Sequence, residues 1–143
     1  MLYYALIKKI EPDEYDGNIV FEVNEEMLSF YYQAPRKFAE ACLLVGREIM
    51  IDIWIGCVDM IKELPSFSQY IPFGQYPTDG DASGFVHSIL GTERFRLDCG
   101  KLMFDVQVHS PILFGIGSNL LISGSRQVFF PNTEWSYENV GCI

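Results

Sequence analysis

The chain has 143 residues, 49% of them hydrophobic and 15% aromatic, and its formal net charge is −9. That composition excludes a disordered chain, and the length suits one domain over residues 1–143 that buries roughly 70% of its unfolded surface without staples. The acidic excess repels phosphate backbones and so disfavours nucleic acid, and without a run of about 18 apolar residues no membrane-spanning helix is expected.

Met1 to Lys9 carries no basic segment ahead of its apolar run, so it does not read as a secretory signal, and a cytoplasmic location is expected. Leu2 to Ile10 reads instead as a strand. Glu11 to Asn18, with Pro12, Asp13, Asp16 and Gly17, is a polar turn region. Ile19 to Val23 and Met27 to Tyr32 are two further strands, joined by a tight hairpin at Asn24-Glu25-Glu26. The acids gather here: Glu11, Asp13, Glu14, Asp16, Glu22, Glu25 and Glu26 stand with no base among them. Such a surface suits a basic protein partner, although plain solubility also explains it.

Residues 35–45 admit two readings. Pro35 opens and Gly46 stops a helix with Phe38, Ala41, Cys42 and Val45 on one face, or Ala41 to Val45 is a buried strand. The helix is favoured. Arg47 to Gly56 is the clearest strand, with Ile49, Ile51, Ile53 and Ile55 at strict period two. One helical turn is expected over 58–64, and 65–84 reads as a long irregular stretch. Phe85 to Leu90, Glu93 to Cys99 and Lys101 to His109 follow as strands, the last two forming a hairpin about Gly100. Ile112 to Phe114, Leu120 to Ser123 and Gln127 to Phe130 complete about nine or ten short strands. The expected fold is mainly β, a single-domain antiparallel barrel or sandwich with one or two short helices.

Four cysteines, Cys42, Cys57, Cys99 and Cys142, form no C-x-x-C pair. Cys42, Cys57 and Cys99 read as small buried hydrophobes.

The long stretch holds two patterns that point to binding. Phe67, Tyr70, Phe73 and Tyr76 recur every third residue among Pro65, Pro72 and Pro77. A polyproline-like segment aligns such rings on one side, where they serve as partner anchors or fold back to plug a barrel end. Next, Asp79-Gly80-Asp81-Ala82-Ser83-Gly84-Phe85-Val86 resembles the first eight positions of an EF-hand calcium loop. Asp79, Asp81 and Ser83 would be the oxygen donors and Gly84 the sharp turn. The resemblance stops at Leu90, where an EF-hand places its bidentate Glu.

Arg94 and Arg96 share one strand face beside Asp105 and Gln107. They suit an anion, or more simply cross-strand ion pairs. His87 and His109 fall about 13 Å apart at strand rise, too far for a shared zinc. Gly115-Ile116-Gly117-Ser118 lacks the second glycine of a nucleophile elbow, and no Walker-type or dinucleotide pattern is present.

Two functions remain. The first is a non-catalytic interaction protein recognising a basic partner, similar in composition alone to toxin-neutralising immunity proteins. The second is a small-ligand or calcium-binding barrel, possible as an enzyme, with its site under residues 65–84.

Overall fold

Ile51, Ile53 and Ile55 are each no more than 1% exposed, so the period-two pattern at the centre of the chain does face a core. The computed structural model describes residues 1–12, 17–32, 45–65 and 79–129. Among these, eight strands run in chain order: β1 (Leu2–Pro12), β2 (Gly17–Val23), β3 (Glu26–Tyr32), β4 (Glu48–Glu63), β5 (Asp79–Ile89), β6 (Arg94–Asp98), β7 (Met103–Gln107) and β8 (Asn119–Phe129). The described residues contain no helix. No helix is long and apolar enough to cross a membrane among them.

The strands form one sheet in the order β1-β2-β3-β8-β4-β7-β6-β5, with further pairings of β1 to β4 and β8 to β5. The pairings therefore trace two five-strand circuits, β1-β2-β3-β8-β4 and β4-β7-β6-β5-β8, which share β4 and β8. Pairing is antiparallel except for two short parallel contacts, Tyr31 with Gln127 and Trp54-Ile55 with Asp105-Val106. The fold is thus a mainly β, single-domain closed barrel with additional strands.

One continuous core runs through both circuits, from Ile7, Phe21 and Leu28 to Phe95, Phe104 and Ile122, all fully buried. Burying a Phe, Leu or Ile side chain contributes about 1.5–3 kcal/mol, which is what turns alternation in the sequence into strand orientation. Arg126 lies on the buried side of β8 in alternation with Leu120, Ile122 and Val128 and is 1% exposed.

Tight turns set the register. Asn24 and Glu25 have φ of 47° and 69°, the left-handed pair that a two-residue hairpin between Val23 and Glu26 requires. This turn touches the β6–β7 turn: Asn24 Nδ2 donates to the Lys101 carbonyl at 3.0 Å, and Lys101 Nζ lies 3.6 Å from Glu26 Oε1.

Several expectations need correction. Residues 58–64 make no helical turn; β4 continues through Glu63, because Met60 to Glu63 pair with Leu120 to Ser123. The strand bends at a bulge between Gly56 and Met60, where Cys57 takes φ 47°. Gly124 faces this bulge so closely that a Cβ there would meet the Gly56 oxygen at 2.8 Å. Cys57 is not a small buried hydrophobe: it is half-buried and disulfide-bonded, with its partner sulfur outside the described residues. Cys99 is a free, buried thiol.

The irregular stretch is shorter at its end than expected, since 79–84 belong to β5, paired along β8 from Asp79 opposite Ser125 to Gly84 opposite Leu120. Residues 112–114 form no strand; they lie in the loop between β7 and β8. The helix expected at 35–45 falls outside the described residues except for Val45 and Gly46, which form a turn with Gly46 at φ 86°.

Candidate functional site

Alternation that sends Ile51, Ile53 and Ile55 inward leaves Asp52 and Trp54 on the outer face of β4. Register then assembles a row across the sheet. Trp54 stands opposite Asp105 on β7 and Gln127 on β8, and Asp105 stands opposite Arg96 on β6. Asp52 stands opposite Leu2 on β1 and Phe129 on β8.

Charges converge at one end of this row. Arg96 Nε donates to Asp105 Oδ1 at 2.8 Å. The Met1 ammonium donates to Asp105 Oδ2 at 2.8 Å, to Asp52 Oδ1, and more loosely to the Ile53 carbonyl at 3.4 Å. The Asp105 side chain is only 8% exposed, against 27% for Asp52 and 36% for Arg96. Two carboxylates are therefore compensated by one guanidinium and one ammonium. A cavity of about 490 Å³, lined by Met1, Leu2, Asp52, Arg96 and Asp105, opens beside them.

Trp54 continues the row. The Arg94 guanidinium lies 5.4 Å from the Trp54 ring centroid, and Phe129 meets that ring edge-on at 6.1 Å. The buried Trp54 Nε1 has no hydrogen-bond partner among the described residues. On the inner side, Tyr3 presents its hydroxyl oxygen to the Met103 amide at 2.8 Å. Burial raises the pKa of that hydroxyl, as do Asp98, Cys99 and Asp105, against the lowering effect of the amide.

A second feature has the opposite character. The β7–β8 loop carries Leu113 at 94% exposure and Ile116 at 69%. It is nonetheless held in place. Val108 N donates to the Glu93 carbonyl, Ile112 N to Thr92 and Gly117 N to Val86, each at 2.8–2.9 Å. Phe114 packs edge-on against the core ring of Phe95 at 5.0 Å. A shallow apolar cavity of about 280 Å³ lies at its base, lined by Ile89, Gly91, Thr92, Pro111, Ile112 and Phe114.

The sequence-derived candidates distribute unevenly. Arg96 forms the cross-strand ion pair with Asp105 that the hairpin about Gly100 implies, while Arg94 lies over Trp54. Asp79, Asp81 and Ser83 fall at alternate positions of β5, so the EF-hand-like spacing runs along an extended strand and not around a loop; Ser83 is buried. Phe67, Tyr70, Phe73 and Tyr76 lie outside the described residues. His87 and His109 are both exposed. Among the described residues no three His, Cys, Asp or Glu side chains gather as a metal site. Burial first, and then Asp98, push the Cys99 thiol up to about 12, with Arg126 opposing.

Sequence reasoning missed the Met1 pocket because its partners are remote along the chain. It also missed the exposed loop, because Ile112-Leu113-Phe114 has strand-forming residues. The bracketing Pro111, Gly115 and Gly117 were the available signal. No protein-family model matches the chain, and no curated protein is significantly similar to it.

Proposed function

We propose that this chain is a non-catalytic binding domain whose β7–β8 loop docks onto a protein partner. The observation that carries the reading is Leu113, 94% exposed on a loop fixed at both ends by backbone hydrogen bonds. An apolar tip of this kind loses little entropy on docking, because its backbone is already ordered. Leu113 and Ile116 are the side chains offered for burial. Phe114 is their anchor.

The net charge of −9 supports a basic partner, which the acidic surface attracts over distances near a Debye length. The interiors of the five-strand circuits are filled by Ile53, Ile55, Phe95, Phe104, Leu120 and Ile122, which favours recognition on the outside over a ligand enclosed in the barrel.

The double variant Leu113→Asp/Ile116→Asp tests the reading. The wild-type chain is expected to co-purify with a basic protein at a fixed ratio, and the variant to lose it while its melting temperature stays within about 3 °C. Retention of the same protein by the variant, or no basic protein enriched over a charge-matched acidic control, overturns it.

A further inference from the structure

We infer that the free protein pairs with a second copy of itself through the end of the barrel that carries the β7–β8 loop. Neither Val106 to Ser125 nor Ala82 to Thr92 contains an Asp, Glu, Lys or Arg, in a chain whose formal net charge is −9. Backbone hydrogen bonds join the two segments. The Gly117 amide donates to the Val86 carbonyl, the Val86 amide to that of Ser118 and the Ile112 amide to that of Thr92. The acids that dominate the chain are thus missing from both segments that build this end. Two like-charged copies repel least where no charge stands, so this is where they can meet. It is also where Leu113, Ile116 and Ile89 lie open, at 94%, 69% and 41% exposure.

A second copy suits this end because the end is complementary to itself. Leu113 stands out from the loop, and the apolar cavity of about 280 Å³ lies at the base of the same loop, between Ile89, Gly91 and Phe114. A two-fold contact needs a knob and a hole on one patch, so that each copy fills the other. A cavity of roughly 150 Å³ already holds a benzene-sized group, so this one has room for a leucine side chain. The inference goes beyond the partner reading at the same loop: in the free protein a second copy covers the tip, and a basic partner displaces it.

The experiment follows the full chain by sedimentation equilibrium and backbone amide NMR at concentrations up to about 1 mM, a range that reaches weak pairs. A reversible equilibrium between monomer and dimer is expected, with concentration-dependent shifts at residues 89–92 and 111–117. Leu113→Asp/Ile116→Asp should stay monomeric throughout. Gly91→Leu should weaken pairing at least about tenfold by filling the cavity from within. A Cβ at Gly91 meets nothing within 4 Å, so the fold accommodates that change. Pairing should tighten as salt rises from about 0.02 M to about 0.5 M, because screening relieves the repulsion between two acidic chains. Capture of a basic protein should weaken over the same range, so the two contacts respond to salt with opposite sign. The inference is overturned if the wild type is monomeric at about 1 mM in high salt, if either variant pairs as tightly as the wild type, or if salt weakens pairing. Partner capture is a separate readout, so failure of one reading leaves the other standing.

Discussion

At the Met1 pocket, charged groups lie under cover. At the β7–β8 loop, large apolar groups lie in the open. Both regions border the β6–β7 hairpin and both invert the usual partition of polar and apolar residues, but for different energetic reasons. Asp105 is stable where it is because each carboxylate oxygen has a cationic donor at 2.8 Å. Covering it without those donors would cost several kcal/mol. Leu113 has no comparable compensation; its exposure forgoes about 1.5–3 kcal/mol of burial. The first inversion is resolved within the chain. The second is left unresolved among the described residues.

The largest expected effect comes from the residue that joins the loop to the core. Phe95→Ala removes a fully buried ring and the seat of Phe114 together. It should cost about 3–5 kcal/mol in chemical denaturation and broaden the amide signals of 110–117. A sharp, unshifted loop spectrum would show that the backbone hydrogen bonds alone order the tip. Next, Asp105→Asn should cost about 2–3 kcal/mol, since it leaves the partly covered Arg96 and the Met1 amine short of a charge. A neutral result would mean the pocket is solvated and its charges are cheap to remove.

A third test concerns what cover does to an ionisable group. Burial pushes the Cys99 thiol from its ordinary value of 9.0, which holds in the unfolded chain, up to about 12 in the fold. The unfolded chain therefore releases its proton first. Stability contributed by the protonated thiol is intact below pH 9.0 and falls as pH rises toward 12, by up to about 1.4 kcal/mol per pH unit. Tyr3, whose hydroxyl is also raised above 10.0, steepens the loss at the upper end. Denaturation midpoints of the wild type and Cys99→Ala across this range should diverge, and parallel curves would place the thiol in contact with water. The smallest effect is expected at the tip itself: Leu113→Ala should change stability by less than about 0.5 kcal/mol, as for other surface positions. A loss above about 1 kcal/mol would make Leu113 part of the core and remove the contrast.

Much of the barrel was legible because local pattern and global fold agree there. The isoleucines of β4 and the hairpin about Gly100 depend on period two and one turn, and Arg96 does face Asp105. The second half of β4 was not legible, because pairing with β8 decides it and Cys57 takes a conformation its sequence does not announce. The EF-hand-like spacing at Asp79 shows the converse: loop-forming residues are drawn into a strand by a continuous ladder with β8. Of the candidate site, Arg96 and Asp105 could be paired from the sequence. Asp52 and Met1 could not, since only the β1–β4 and β4–β7 ladders bring them together.

The sharing of β4 and β8 has a consequence for how the polypeptide is made. Leu2 pairs with Asp52, and Asp52 in turn with Phe129, so neither ring can close before residues 119–129 leave the ribosome. Until then a nascent chain carries β3 and β5 without their β8 neighbour, their backbone groups open to other chains. Such long-range closure makes folding slow and late in synthesis. A growing chain of this protein is therefore most exposed to misassembly just before its last described strand arrives.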